Sequence, residues 1–115
     1  MTPLADAVLR EGVDDWVPFR TVHALAHAAT PDADERSLRL SAIDAVRALV
    51  IAGLVELGTV HDGGFAAWST PLRELSRLTL DYLDAGATTE DDWGFRCWLS
   101  NTPSGDERAR TGGGT

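Results

Sequence analysis

The spacing of apolar residues changes several times along this chain, and each change marks an expected element. Leu4, Val8 and Leu9 form a helical stripe over residues 3–11, with Ala5 beside them. Thr2 suits the cap of that helix, Pro3 its first turn, and Gly12 a left-handed exit. A second helix is predicted over residues 16–29, where Phe19, Val22, Ala26 and Ala29 share a face. Asp15 is its expected cap, Pro18 falls in its first turn, and Thr30-Pro31 ends it. Residues 33–40 are highly charged and read either as a loop or as a short helix. A third helix is predicted over residues 41–52, opened by the S-x-x-D pair Ser41 and Asp44. Ile43, Val46 and Val50 share its apolar face, and Gly53 breaks it.

From Leu54 to Val60 the period drops to two. Leu54, Glu56, Gly58 and Val60 point one way, and Val55, Leu57 and Thr59 the other. His61-Asp62-Gly63-Gly64 is tight-turn chemistry, and residues 65–68 form the return strand of a β-hairpin. Ser69 or Thr70 caps a further helix that starts at Pro71. Leu72, Leu75, Leu78, Thr79 and Tyr82 follow helical spacing within it, and Gly86 is its expected end. Residues 88–92 are an acidic connector. Residues 93–99, WGFRCWL, are aromatic and β-favouring and predict one more strand. From Asn101 the chain is polar and glycine-rich. The expected organisation is a single domain over residues 1–100 and a flexible tail over 101–115.

The order helix, helix, helix, hairpin, helix resembles the winged helix-turn-helix superfamily over residues 16–86. Gly53-Leu54-Val55, within GLVELG, stands at the step into the first strand, and His61 to Gly64 at the wing tip. The resemblance implies an α+β fold, mostly helical, with a β-hairpin wing and a C-terminal extension. It leaves the function open, because one fold hosts many functions. One implied function is transcription regulation by sequence-specific DNA binding. The helix over residues 41–52 would then read DNA, with Arg36, Arg39, Ser41, Arg47 and His61 as its contacts.

Charge shifts the balance away from DNA. All ten basic residues are arginine, against eighteen acidic ones, for a net charge of −8 at pH 7. Such a surface repels phosphate backbones. Around the reading helix, Arg36, Arg39 and Arg47 are matched by Asp34, Glu35 and Asp44. The alanine-rich, lysine-free composition resembles that of proteins from GC-rich, actinobacterial-type genomes. The favoured expectation is a regulatory or interaction module that binds a protein partner or itself. Its expected contacts are Leu40, Arg47, Ile51, Trp93 and Trp98, because tryptophan is a preferred interface anchor. Trp68 is expected in the core.

Other candidate chemistry is thin. His23 and His27 have zinc-compatible spacing, but HALAH lacks the glutamate of H-E-x-x-H. Acidic clusters stand at helix starts or in connectors, where they satisfy the helix dipole. Gly63-Gly64 lacks the pattern of a phosphate loop. Cys97 is the lone cysteine; it reads as a buried structural thiol, with activation by Arg96 as the alternative. No catalytic residue, cofactor or metal ligand is therefore expected. No apolar run approaches the ~20 residues of a membrane span. There is no signal-type N-terminus, so the expected location is the cytoplasm.

Overall fold

A computed structural model describes residues 2–84 and 88–112. Among them are six helices and four strands. These are α1 (Pro3–Glu11), β1 (Val17–Pro18), α2 (Phe19–Ala29), α3 (Glu35–Ile51), β2 (Val55–His61), β3 (Gly64–Ala67), α4 (Pro71–Leu83), α5 (Glu90–Trp93), β4 (Trp98–Asn101) and α6 (Pro103–Gly112). The strands form one antiparallel sheet in the order β1-β4-β2-β3. The fold is α+β.

Local chemistry explains the elements that match expectation. Thr2 Oγ1 accepts a hydrogen bond from the Ala5 amide at 3.1 Å, so α1 starts at Pro3. Gly12 departs from expectation and ends α1 in right-handed geometry, with φ −82°. Gly53 exits α3 with φ +73°. The hairpin turn places Asp62 at φ 53° and Gly63 at φ 76°, the paired left-handed residues of a type I′ turn. This sets the register that pairs His61 with Gly64 and Gly58 with Ala67.

Several expectations are corrected. The helix expected from residue 16 begins at Phe19. Pro18 disfavours helical geometry at Val17 and is itself extended, so the two residues form β1. Asp15 caps no helix; its carboxylate accepts from the adjacent Trp16 amide at 2.8 Å. Residues 33–40 and 41–52 are not separate elements. One helix starts at the Asp34 cap, whose Oδ1 accepts from the Ser37 amide at 2.9 Å. Ser41 sits inside that helix and donates to the Ser37 carbonyl at 3.0 Å. The strand expected over 93–99 is displaced: Trp93 closes α5, and pairing starts at Trp98. Residues 88–92 are more than a connector, since Thr89 and Asp92 form a capping box for α5.

The flexible tail expected from Asn101 is also overturned. Asn101 belongs to β4, and α6 packs on α1. Thr102 Oγ1 accepts from the Gly105 amide at 3.1 Å and donates to the Gly53 carbonyl at 2.8 Å. Asn101 Nδ2 donates to the Leu9 carbonyl at 2.9 Å and to Asp106 at 3.1 Å. The expected end of α4 at Gly86 and the last residues of the tail, 113–115, lie outside the described residues.

The sheet has two unlike faces. Val17, Leu99 and Leu57 align across three strands, and all three are buried with the helices' apolar side chains. Phe19, Leu38, Leu49, Leu75, Leu78 and Tyr82 fill the same core. The neighbouring row, Pro18, Trp98, Gly58 and Ala67, points the other way, as alternation requires. Glu56, Val60, Phe65 and Ser100 share that second face, and all are half-buried or exposed.

Candidate interaction surfaces

The second face of the sheet carries an aromatic layer. Phe65, on β3, lies over Gly58, where a Cβ would stand 2.9 Å from the ring edge and would collide with the Ala66 carbonyl. Glycine at 58 is therefore what lets the ring come down onto the strand. Trp16 stacks on Phe65, with centroids 6.1 Å apart and planes 28° apart. Trp98, cross-strand from Gly58, packs against Phe95 at 6.0 Å, and its Nε1 donates to the Phe95 carbonyl at 3.0 Å. Phe95 is 49% exposed. Arg20 lies 5.8 Å from the Phe95 ring centre and pairs with Glu90 at 2.6 Å. Beside Trp16 opens a polar cleft of about 420 Å³, lined among others by Asp14, Asp15, Ser100 and Asp106.

The outward face of α3 is the second surface. Spacings of seven and eleven residues put Leu40, Arg47 and Ile51 on one side. Leu40 is 39% and Ile51 68% exposed. Arg36 and Ser41 are also exposed on α3, but the Ser41 hydroxyl is engaged with its own helix. Arg47 stands 4.0 Å from Asp44. His61 is exposed on the hairpin, away from this helix in the chain, and lies 3.9 Å from Asp62.

Two expected contact residues are removed from the surface. Trp93 is 2% exposed and packs edge-on against Phe19 at 6.1 Å and Tyr82 at 4.8 Å. It closes the core and is no interface anchor. Arg39 turns inward, with its side chain 12% exposed. It donates to Glu35 at 2.9 Å and to the Tyr82 carbonyl, and lies over the Tyr82 and Trp93 rings at 4.8 and 5.3 Å. Its Nε and Nη1 are engaged inside the fold, and a guanidinium withdrawn from solvent in this way is turned away from a phosphate or a base. Of the three α3 arginines in the DNA set, Arg36 and Arg47 are the exposed ones.

The same internal cluster holds His23, whose Nδ1 lies 2.6 Å from the Tyr82 hydroxyl. Burial lowers the His23 pKa, with Arg39 and His27 acting the same way and Glu35 and Glu90 opposing. Burial raises that of Tyr82. Both are uncharged at neutral pH, and the imidazole tautomer sets which of the two donates in the hydrogen bond they share. His23 is thus committed to packing, and among the described residues no three His, Cys, Asp or Glu side chains are grouped to hold a metal. Cys97 is fully buried, and burial pushes its thiol up to about 12, so Arg96 does not activate it. Trp68 is half-buried and packs against the core. A second, apolar groove of about 490 Å³ lies between α1, α2 and α3, floored by Ala26, Ala29, Ala45 and Ala48. Its lining offers little chemistry beyond Asp44.

Sequence reasoning singled out Trp98 and missed Trp16, Phe65 and Phe95 as its companions. The available signal was parity: Gly58 and Val60 share a strand face, and a glycine between bulky neighbours marks close approach of another group. Compared with known proteins, the chain matches no family model, no curated protein and no solved structure. The functional reading rests on the surfaces themselves.

Proposed function

We propose that this chain is a small non-catalytic regulatory or interaction module of winged-helix type, working in the cytoplasm and binding a protein through the aromatic face of its sheet. The order helix, strand, helix, helix, hairpin supports the winged-helix part. The observation that carries the binding part is the half-exposed aromatic layer of Trp16, Phe65, Phe95 and Trp98 opposite the packed face. Aromatic side chains bring large contact area at low conformational cost, and they anchor protein interfaces. Cys97 as a buried free thiol fits a reducing compartment.

The test is partner capture from the native host by the full chain and by two double variants. Trp98→Ala with Phe95→Ala removes capture, and Leu40→Ala with Ile51→Ala leaves it. The reverse pattern transfers the function to α3, whose exposed Leu40 and Ile51 favour a second contact there or self-association. Salt-sensitive binding to duplex DNA at low ionic strength, lost on Arg36→Ala with Arg47→Ala, returns the module to transcription regulation.

A further inference from the structure

We infer that the partner segment taken by the sheet face is a basic peptide that seats an arginine against Trp16. This rests on the preceding reading of that face as a protein-binding surface, and it names the chemistry of the partner. The molecule builds the same arrangement twice from its own residues. Arg39 lies over Tyr82 and Trp93 with Glu35 at 2.9 Å, and Arg20 lies over Phe95 with Glu90 at 2.6 Å. Each unit is an aromatic plane, a guanidinium and a carboxylate. Trp16 offers a third plane, flanked by Asp14 and Asp15 in sequence and lining, together with Asp106, the cleft of about 420 Å³. No basic residue is among those lining that cleft.

The chemistry selects among occupants. A planar guanidinium stacks on an indole and forks to carboxylates, which a lysine ammonium does less well. The cleft's carboxylates are not grouped as metal ligands, so they suit an extended organic cation better than a point ion. Aromatic sheet faces also stack single-stranded bases. Here Asp14, Asp15 and Asp106 line the cleft with Trp16, Glu56 lies on the same sheet face, and the chain carries −8, so a phosphate backbone is repelled while a basic segment is attracted.

The experiment titrates the full chain with three synthetic peptides of equal length, bearing arginine, lysine or glutamate at the same positions, and with oligo-thymidine. Tryptophan emission and calorimetry are followed at low and at physiological salt. The arginine peptide binds more tightly than the lysine peptide, by about threefold or more. The glutamate peptide and the oligonucleotide do not bind, and added salt weakens the arginine complex. Asp14→Asn with Asp15→Asn lowers affinity about tenfold without a change in the unfolding midpoint, because both residues are exposed. Trp16→Ala lowers it further. Equal binding of the arginine and glutamate peptides, or affinity indifferent to the Asp14 and Asp15 changes, overturns the inference. Absent arginine-peptide binding with Trp98-dependent partner capture intact defeats this inference alone. Oligo-thymidine binding more tightly than the arginine peptide defeats the protein-binding reading as well.

Discussion

Two aromatic groups in this molecule look alike in composition and differ in everything else. The inner group, Phe19, Tyr82, Trp93 and His23 with Arg39 laid across it, is sealed by α2, α3, α4 and α5. The outer group, Trp16, Phe65, Phe95 and Trp98 with Arg20 at its edge, lies on the far side of the sheet, half open to water. Both put a guanidinium on a ring beside a carboxylate. In the inner group the contact closes a core. In the outer group the same contact stands next to rings that remain accessible. Residue type therefore says little about role here, and the side of the sheet says most.

The contrast makes graded predictions. Trp93→Ala removes a fully buried ring and costs about 3–5 kcal/mol in chemical denaturation, enough to threaten folding of a domain this size. A loss below about 1 kcal/mol would show that the inner group is not a core. Gly58→Ala forces a methyl group against the Ala66 carbonyl and under Phe65. It destabilises by roughly 1–3 kcal/mol and shifts tryptophan emission as Phe65 leaves Trp16. Unchanged emission would mean that the Phe65–Trp16 stack does not depend on this glycine.

His23 supplies a pH signature for the inner group alone. Its folded pKa lies below the ordinary 6.5, because burial penalises the cation. Below pH 6.5 the unfolded chain takes up the proton first, so the unfolded state is favoured. His23's contribution is complete above pH 6.5 and is lost as pH falls toward its folded value. Denaturation midpoints measured between pH 7.5 and 5 decline accordingly, and His23→Gln flattens that decline. A variant that declines as steeply as the parent assigns the slope to other groups. Trp98→Ala has the smallest effect on stability, within about 1 kcal/mol, while partner capture disappears. Large destabilisation by this change would make the outer group structural after all.

Short-range chemistry made part of the fold readable. Thr2-Pro3 bounded α1, and His61-Asp62-Gly63-Gly64 set the hairpin, because caps and turns act within four residues. The Asp34 cap was equally local, but the charge run that follows it obscured it. Its downstream signal, the Glu35–Arg39 pair one turn apart, is visible only once that run is taken as helix. Thr102-Pro103 likewise carried an N-terminal signature for α6, which the glycine-rich end of the chain outweighed.

Trp93 and Trp98 are five residues apart and could not be told apart by pattern. Trp98 faces outward because β4 pairs with Val17 on one side and Leu57 on the other, contacts about 80 and 40 positions away in the chain. Trp93 faces inward because Phe19 and Tyr82 close around it. Arg39 is withdrawn from solvent by a carbonyl on α4, 43 residues downstream. The Thr2 cap, the hairpin turn, the acidic balance and the lone thiol were thus properties of the chain itself, the first two set by near neighbours in sequence and the last two by composition. The inner or outer fate of each tryptophan and each arginine came from the fold, because it hangs on strand order and on partners that no local spacing encodes.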